Sequence, residues 1–205
     1  MLTRRMLTAG ASLGALAFMA GGWLGRSQGK NVATPFPNTP LQTHDGRAVR
    51  FYDDLIRGKL VVINMIYASC GGICPATTFN LRQVHRQLGE RVGSSVFLYS
   101  ITLQPELDTP DTLRAYAQSN RLGPGWLLLT GSPDELRKLR YRLGFFDPDP
   151  QIDRIVSSHT GMLRIGNDAT SRWTMIPGLA APEQILHTID HVDPTITHPN
   201  RIYRI

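Results

Sequence analysis

The chain has 205 residues and a formal net charge of +6 at pH 7. This length suits one domain with short appendages, and a composition of 41% hydrophobic and 19% charged residues suits a folded core rather than a disordered chain. Two cysteines are too few for a disulfide-dense mini-protein or a four-cysteine zinc module. The basic residues are spread along the chain without interleaved aromatic residues, so we predict no nucleic-acid partner.

Residues 1–25 have the pattern of an export signal. Arg4 and Arg5 precede an uncharged stretch rich in Ala and Gly, which is typical of a secretion signal, and their surroundings resemble the twin-arginine motif. Small residues offer cleavage positions after Ala17 and Ala20, while the uncharged stretch is also just long enough to span a bilayer. We predict a location in the bacterial periplasm, either soluble or anchored to the inner membrane by this segment. A buried N-terminal helix is the alternative.

The rest of the chain divides by composition. Residues 26–40 are polar and contain three prolines, which predicts a linker. Residues 41–192 carry the alternating apolar patterns of a domain, and residues 193–205 are expected to form an irregular tail.

The domain is predicted to begin with two short strands within residues 41–51, turning at Asp45-Gly46. The apolar run Leu60–Tyr67 predicts a strand covered on both faces of an α/β sheet. A loop with both cysteines follows this strand. Pro75 is then predicted to open a helix, because its missing N–H is not needed in a first turn.

Strands and helices continue to alternate along the remaining chain. Further strands are predicted over residues 95–103, 126–130, 159–165 and 172–176, and further helices over residues 110–119, 132–143 and 182–189. This order predicts a thioredoxin-like α/β fold, with a central mixed sheet flanked by helices and an N-terminal signal or anchor segment.

The chemistry of the chain is expected at Cys70 and Cys74, at the carboxyl end of the predicted strand, where α/β folds bind ligands. We expect Cys74 directly before the helix, where the helix dipole would lower the pKa of its thiol. Gly71 and Gly72 allow the loop to bend so that both sulfurs face one point. Three intervening residues, one more than in thioredoxin-type redox sites, leave room for a metal and still permit a disulfide. An inert structural disulfide is the alternative.

Two thiolates suit Cu(I), and an added imidazole would allow Cu(II) as well, whereas zinc demands more protein ligands. The six candidate histidines are His44, His85, His159, His187, His191 and His198. His159 is favoured because it precedes a predicted strand whose start lies beside the cysteine loop in a thioredoxin-like fold. A histidine at the surface or in a hydrogen bond is the alternative.

Three motifs in the chain resemble the SCO/SenC family of thioredoxin-like copper-binding proteins. The segment Tyr67–Pro75 (YASCGGICP) resembles that family's C-x3-C-P signature. Thr102–Pro110 (TLQPELDTP) is similar to its second block, and Ser158-His159-Thr160 matches the position of its metal-binding histidine. The resemblance extends over residues 41–192 with the motifs in the family's order.

The resemblance implies an exported protein that binds one copper ion, as Cu(I) or Cu(II), through Cys70, Cys74 and His159. It implies a metallochaperone that delivers copper to the binuclear copper centre of cytochrome c oxidase, or prepares that site, rather than a turnover enzyme. The partners implied are the copper-bearing subunit of the oxidase or another copper chaperone, and a thiol reductant that keeps the cysteines reduced. Before loading or after release, the pair could form a disulfide.

Two positions differ from the family pattern. Gly71-Gly72 replaces the usual Pro-Asp, and Gln104 replaces an Asp, although Asp108 of the same block is kept. A divergent role in copper transfer or docking is therefore an alternative.

Other functions remain open alongside copper delivery. A thiol-disulfide oxidoreductase acting on exported client proteins would use Cys70 and Cys74 as its redox-active pair and would not need His159. A redox or copper sensor that signals to a membrane partner is a third hypothesis. The basic residues Arg137, Lys138, Arg140 and Arg142, and the acidic residues Asp147, Asp149 and Asp153, are interpreted as solvated surfaces.

Overall fold

Seven strands form one mixed sheet in the computed structural model, which describes residues 35–196. The strands are β1 (Pro40–Thr43), β2 (Ala48–Arg50), β3 (Leu60–Ile66), β4 (Val96–Thr102), β5 (Trp126–Gly131), β6 (Met162–Asn167) and β7 (Arg172–Pro177). Their order across the sheet is β2-β1-β5-β4-β3-β6-β7. The predicted export signal and most of the predicted linker and tail lie outside the described residues.

The centre of the sheet is parallel and its margins are antiparallel. β3 pairs in parallel with β4, and β4 in parallel with β5, whereas β1 and β6 run antiparallel to their neighbours β5 and β3. All seven residues of β3 are buried, as predicted for a strand covered on both faces. Because β3 and β4 run in parallel, they end at the same edge of the sheet, where the cysteine loop begins.

In the described part of the chain, five α-helices connect or cover the strands: α1 (Ile73–Leu88), α2 (Pro110–Ser119), α3 (Pro133–Arg142), α4 (Pro150–Asp153) and α5 (Pro182–Val192). The starts of α2 and α3 are set by local sequence. Thr109 and Ser132 each accept a hydrogen bond from a backbone N–H of the first turn, and a proline follows each of them. A π-helical segment covers Phe51–Ile56, and short 3₁₀ turns cover Gly89–Arg91, Val156–His159 and Asp168–Thr170.

Alternate residues of β3 pack into two separate cores. Leu60 and Val62 face α1, α2 and α5, whereas Val61 and Ile63 face α3 and the π-helical segment. The predicted mixed sheet flanked by helices is thus confirmed. Phe36, within the predicted linker, is also buried, and its ring lies 4.7 Å from that of Trp173.

Two element boundaries differ from the sequence predictions at the cysteine and histidine positions. Helix α1 begins at Ile73 rather than Pro75, because a proline is tolerated anywhere among the first residues of a helix, whose N–H groups lack helical partners. Strand β6 begins at Met162, and His159 lies in the preceding 3₁₀ turn rather than at the start of the strand. Within residues 35–196, each helix is too short or too polar to cross a membrane.

Candidate functional site

The two cysteines meet where β3 passes into α1. Cys70 lies in the connecting loop and Cys74 in the first turn of α1, and the two residues are 8% and 1% exposed. Both are free thiols, hydrogen-bonded to each other. The sequence prediction that both sulfurs face one point is therefore confirmed by the geometry of this loop.

The two thiols differ in acidity, and the difference reverses the expectation for Cys74. Burial raises the pKa of the Cys70 thiol, but hydrogen bonds from the Cys74 and Tyr67 side chains outweigh burial. The pKa of Cys70 therefore lies below its usual value. Burial, followed by the hydrogen bond to Cys70, raises the pKa of Cys74 to about 12. The expectation of a lowered pKa for Cys74 was wrong because burial and the hydrogen bond to Cys70 outweigh the contacts that favour the thiolate.

Two further side chains contact the pair and were not singled out from the sequence. The Tyr67 hydroxyl hydrogen-bonds to Cys70, and this contact, followed by burial, raises the pKa of Tyr67 to about 12. The side chain of Thr160 is hydrogen-bonded to the Cys74 sulfur. Tyr67 and Thr160 both lie within the motifs noted above, but their roles depend on side-chain directions that residue spacing does not specify.

His159 directly precedes Thr160, whose side chain contacts Cys74, but the His159 ring itself contacts other residues. The Arg140 Nη1 atom lies 2.8 Å from Nε2 and 3.1 Å from Nδ1 of the His159 imidazole. Nε2 also lies 2.9 Å from the carbonyl oxygen of Asp153. Within residues 35–196, no three His, Cys, Asp or Glu side chains are grouped as a metal site. The structure therefore brings the two cysteines together and keeps the imidazole of His159 apart from them.

The partners of His159 form a buried ion pair. Two hydrogen bonds of 2.8 and 2.9 Å join the Arg140 guanidinium to the carboxylate of Asp153, and both side chains are 9% exposed. Arg140 holds the pKa of Asp153 well below its usual range. The interpretation of Arg140 and Asp153 as solvated residues was wrong, because the pairing joins α3 to α4 across a sequence separation that local patterns do not reveal. Arg137 and Lys138 are exposed, as interpreted, and pair with acidic residues one turn earlier.

A cavity of about 210 Å³ lies beside this ion pair. It is lined by residues that include Met65, Leu103, Leu136, Arg140, Arg154 and His159. The imidazole thus stands at the wall of an open volume on the α3 face of the sheet.

The other described histidines hold structural or surface positions. His44 accepts a hydrogen bond from the backbone N–H of Leu128, and His85 stacks on Trp126 while its Nε2 lies 2.9 Å from the carbonyl oxygen of Pro124. His187 and His191 are exposed on α5, and His198 lies outside the described residues.

The fold and the dithiol loop define a thioredoxin-like protein with a paired-cysteine site. A family profile described as SCO1/SenC matches residues 26–192, which is most of the chain. The chain belongs to the SCO1/SenC family.

Individual relatives agree with this assignment. A protein of Stutzerimonas stutzeri that is named for copper binding is 30% identical over 135 residues, covering 64% of this chain. The match spans 65% of that relative, just under two thirds of its length.

Solved structures share the fold. The copper-bound ScoI of Bradyrhizobium japonicum superposes with a TM-score of 0.59 at 23% identity, covering 76% of this chain and 97% of that protein. A SCO1/SenC family lipoprotein from Bacillus anthracis gives a TM-score of 0.62 at 21% identity, covering 77% and 94%.

Proposed function

We propose that this protein is an exported copper metallochaperone that holds one copper ion with Cys70, Cys74 and His159. It would deliver the metal during assembly of the binuclear copper centre of cytochrome c oxidase, or prepare that centre to receive it. The observation that carries the proposal is the pair of adjacent free thiols, buried at the carboxyl end of a central strand. Membership of the SCO1/SenC family and the resemblance to a protein named for copper binding support it.

The donor atoms suit copper in its reduced state. Thiolates are soft ligands that select Cu(I), and both sulfurs already lie within hydrogen-bond contact. Cys70 has the more acidic thiol, so capture of the ion begins there and the proton of Cys74 is released as the second sulfur binds. Reduction of the pair must precede this step.

The third ligand requires a local movement. His159 would leave Arg140 and the Asp153 carbonyl and turn toward the cysteines. The path from His159 to the cysteines is short, because the neighbouring Thr160 already contacts the Cys74 sulfur. Three protein ligands would leave one side of the ion open, so an acceptor's own cysteine or histidine could bind before the donor ligands depart.

Export and partners follow from this role. The predicted signal in residues 1–25 would place the domain in the bacterial periplasm, soluble or held at the inner membrane. The acceptor would be the copper-bearing subunit of the oxidase or another copper chaperone. A thiol reductant would keep Cys70 and Cys74 ready for loading.

Thiol-disulfide exchange is a second candidate function, and the difference between the two thiols favours it. Cys70 is the more exposed and more acidic, as expected for a thiol that attacks a client disulfide. Cys74 would then attack the Cys70 sulfur of the mixed disulfide. The client would leave as a dithiol, and Cys70 and Cys74 would become a disulfide that an external thiol reductant must reduce.

An anaerobic Cu(I) competition titration of the reduced protein tests the proposal. We expect one tightly bound ion per chain, and a loss of affinity of more than about 100-fold in Cys70→Ser or Cys74→Ser, above the loss typical of outer-shell residues. Ser69→Ala, which alters an exposed neighbour in the same loop, is the matched control. Wild-type affinity in either cysteine variant would contradict the copper site. Absence of tight binding combined with rapid exchange of client disulfides would favour the second candidate.

A further inference from the structure

Asp108 is a buried carboxylate between β4 and α2, with 2% of its surface exposed. A buried carboxylate requires hydrogen-bond donors to offset the loss of water. One of its oxygens, Oδ2, accepts two hydrogen bonds, from the backbone N–H of Ala68 at 3.1 Å and from the hydroxyl of Thr102 at 2.5 Å. Ala68 belongs to the cysteine loop and Thr102 ends β4, so a single oxygen atom joins the two segments.

The segment that carries Asp108 is itself closed by backbone hydrogen bonds. The N–H of Asp108 donates to the carbonyl of Gln104 at 2.8 Å, and the N–H of Gln104 donates to the Thr102 hydroxyl oxygen at 2.9 Å. The N–H of Leu103 donates to the Ile66 carbonyl at 2.8 Å, which ties the ends of β3 and β4 together. The carboxylate is therefore held at a fixed point beside the cysteine loop.

The contact with Ala68 acts close to the first thiol. Ala68 is two residues before Cys70, inside a turn that the Cys70 N–H closes on the Tyr67 carbonyl at 3.1 Å. After Cys70, a Cβ built on Gly71 or Gly72 would meet no atom within 4 Å, so no packing contact holds the glycines, and the loop is tied there by hydrogen bonds from the Gly72 and Cys74 backbone to the Cys70 sulfur. An anchor on the Cys70 side of the loop therefore limits how far the first sulfur can move from the second, which is fixed in α1.

We propose that Asp108 is a positioning residue, which holds the cysteine loop so that the Cys70 sulfur stays next to Cys74. The inference rests on the proposed function only in taking this dithiol as the working site. Without the carboxylate, the loop samples positions in which the sulfurs are apart. Both disulfide closure and Cu(I) chelation then become less favourable.

The test equilibrates metal-free protein with reduced and oxidised glutathione. One oxidised glutathione is reduced to two thiols as the protein dithiol becomes the Cys70–Cys74 disulfide, so the equilibrium constant reports how readily the sulfurs meet. We expect Asp108→Ala to lower this constant by about tenfold, the effect of losing the two hydrogen bonds that the side chain accepts. Asp108→Asn retains an oxygen that accepts from both donors and should stay close to wild type. Thr102→Val removes one donor and should lower the constant in the same direction, which gives a second variant if Asp108→Ala does not fold.

General destabilisation is separated from positioning by a core variant. Ile189→Val removes one methylene from the core under α5 and should leave the glutathione equilibrium unchanged, although urea unfolding shows lower stability. An unchanged constant in Asp108→Ala or Thr102→Val, or an equal fall in Ile189→Val, would overturn the proposal. A parallel Cu(I) titration keeps the two ideas distinct. If wild type binds no copper, the proposed function fails, while a glutathione constant that falls in Asp108→Ala still supports the positioning role.

Discussion

The cysteine loop and the turn that carries His159 differ in how far their proposed copper ligands are already in position. In the loop, two thiols already touch and differ in acidity, so the sulfur ligands are arranged before any ion binds. In the turn, the imidazole contacts the buried pair of Arg140 and Asp153. Under the proposed function, copper capture would therefore start at sulfur and end at nitrogen.

The cost of the second step depends on the ion pair. Arg140 donates to the Phe145 carbonyl and to both carboxylate oxygens of Asp153, so the cluster stays satisfied when His159 leaves. The histidine would give up its contacts with Arg140, the Asp153 carbonyl and the Ser158 hydroxyl, and it would gain one bond to the ion. The buried pair thus sets the resting position of the ring without depending on it for stability.

The largest effect is expected from breaking the ion pair. Asp153→Asn leaves the buried Arg140 guanidinium without its counterion and should lower the free energy of unfolding by about 3 kcal/mol. Denaturant unfolding measures the change. Asp134→Asn removes an exposed carboxylate that pairs with Arg137 on α3 and should cost less than about 1 kcal/mol. Equal effects of the two substitutions would contradict the account of a buried pair.

The same pair predicts how stability depends on pH. Arg140 lowers the pKa of Asp153 in the folded state, below the value of about 3.9 expected in the unfolded chain. The stabilisation is therefore complete above the unfolded pKa and is lost as the pH falls toward the folded one. The free energy of unfolding of the wild type should fall below about pH 5, and Asp153→Asn should show less of this loss. Parallel pH profiles for the two proteins would contradict the assignment.

Removing the imidazole should have a smaller effect on copper than removing a thiol. His159→Ala leaves in place both sulfurs, which are the ligands that Cu(I) prefers. The Cu(I) affinity should therefore fall by about tenfold, a loss no larger than that caused by removing an outer-shell residue. With Cu(II), the thiolate-to-copper absorption band should weaken. His85→Ala, which removes a histidine from the far part of α1, is the control. A loss as large as that of Cys74→Ser would contradict the expectation that the thiols contribute more to Cu(I) affinity than the imidazole does.

The two thiols should also differ in their reaction with iodoacetamide. At neutral pH, Cys70 should be alkylated about tenfold faster than Cys74 or more, because the thiolate is the nucleophile and Cys74 is the more buried. Peptide mapping by mass spectrometry of briefly treated, reduced protein identifies the modified residue. Faster modification of Cys74 would restore the expectation based on the helix start.

The smallest effect is expected at Tyr67. Tyr67→Phe removes the hydroxyl that hydrogen-bonds to Cys70, so alkylation of Cys70 should slow by a few-fold, in line with the loss of about 1 kcal/mol. Tyr99→Phe alters a buried tyrosine elsewhere and should leave the rate unchanged. An unaltered rate in Tyr67→Phe would mean that Cys74 and the backbone alone stabilise the thiolate.

Local patterns were sufficient to predict the sheet and the dithiol loop. The apolar run of β3 and the proline after Cys74 are signals that act over a few residues, so strand, loop and helix follow from them. The start of α1 differs by two residues because Pro75 fits any position in the first turn.

The electrostatics of the site could not be predicted in this way. The pKa of Cys74 is raised by burial and by the hydrogen bond to Cys70, and it is lowered by hydrogen bonds with the Tyr67 backbone and the Thr160 side chain. The contact of His159 with Arg140 and Asp153 joins α3, α4 and the following turn. These properties arise from tertiary packing, and neither residue type nor spacing specifies them.

X-ray absorption at the copper edge of the Cu(I)-loaded, reduced protein tests the central claim most directly. The account predicts two sulfur neighbours and one nitrogen neighbour in the wild type, and loss of the nitrogen alone in His159→Ala. Identical spectra from the two proteins would contradict the assignment of His159. A wild-type spectrum without two sulfur neighbours would contradict the dithiol site itself.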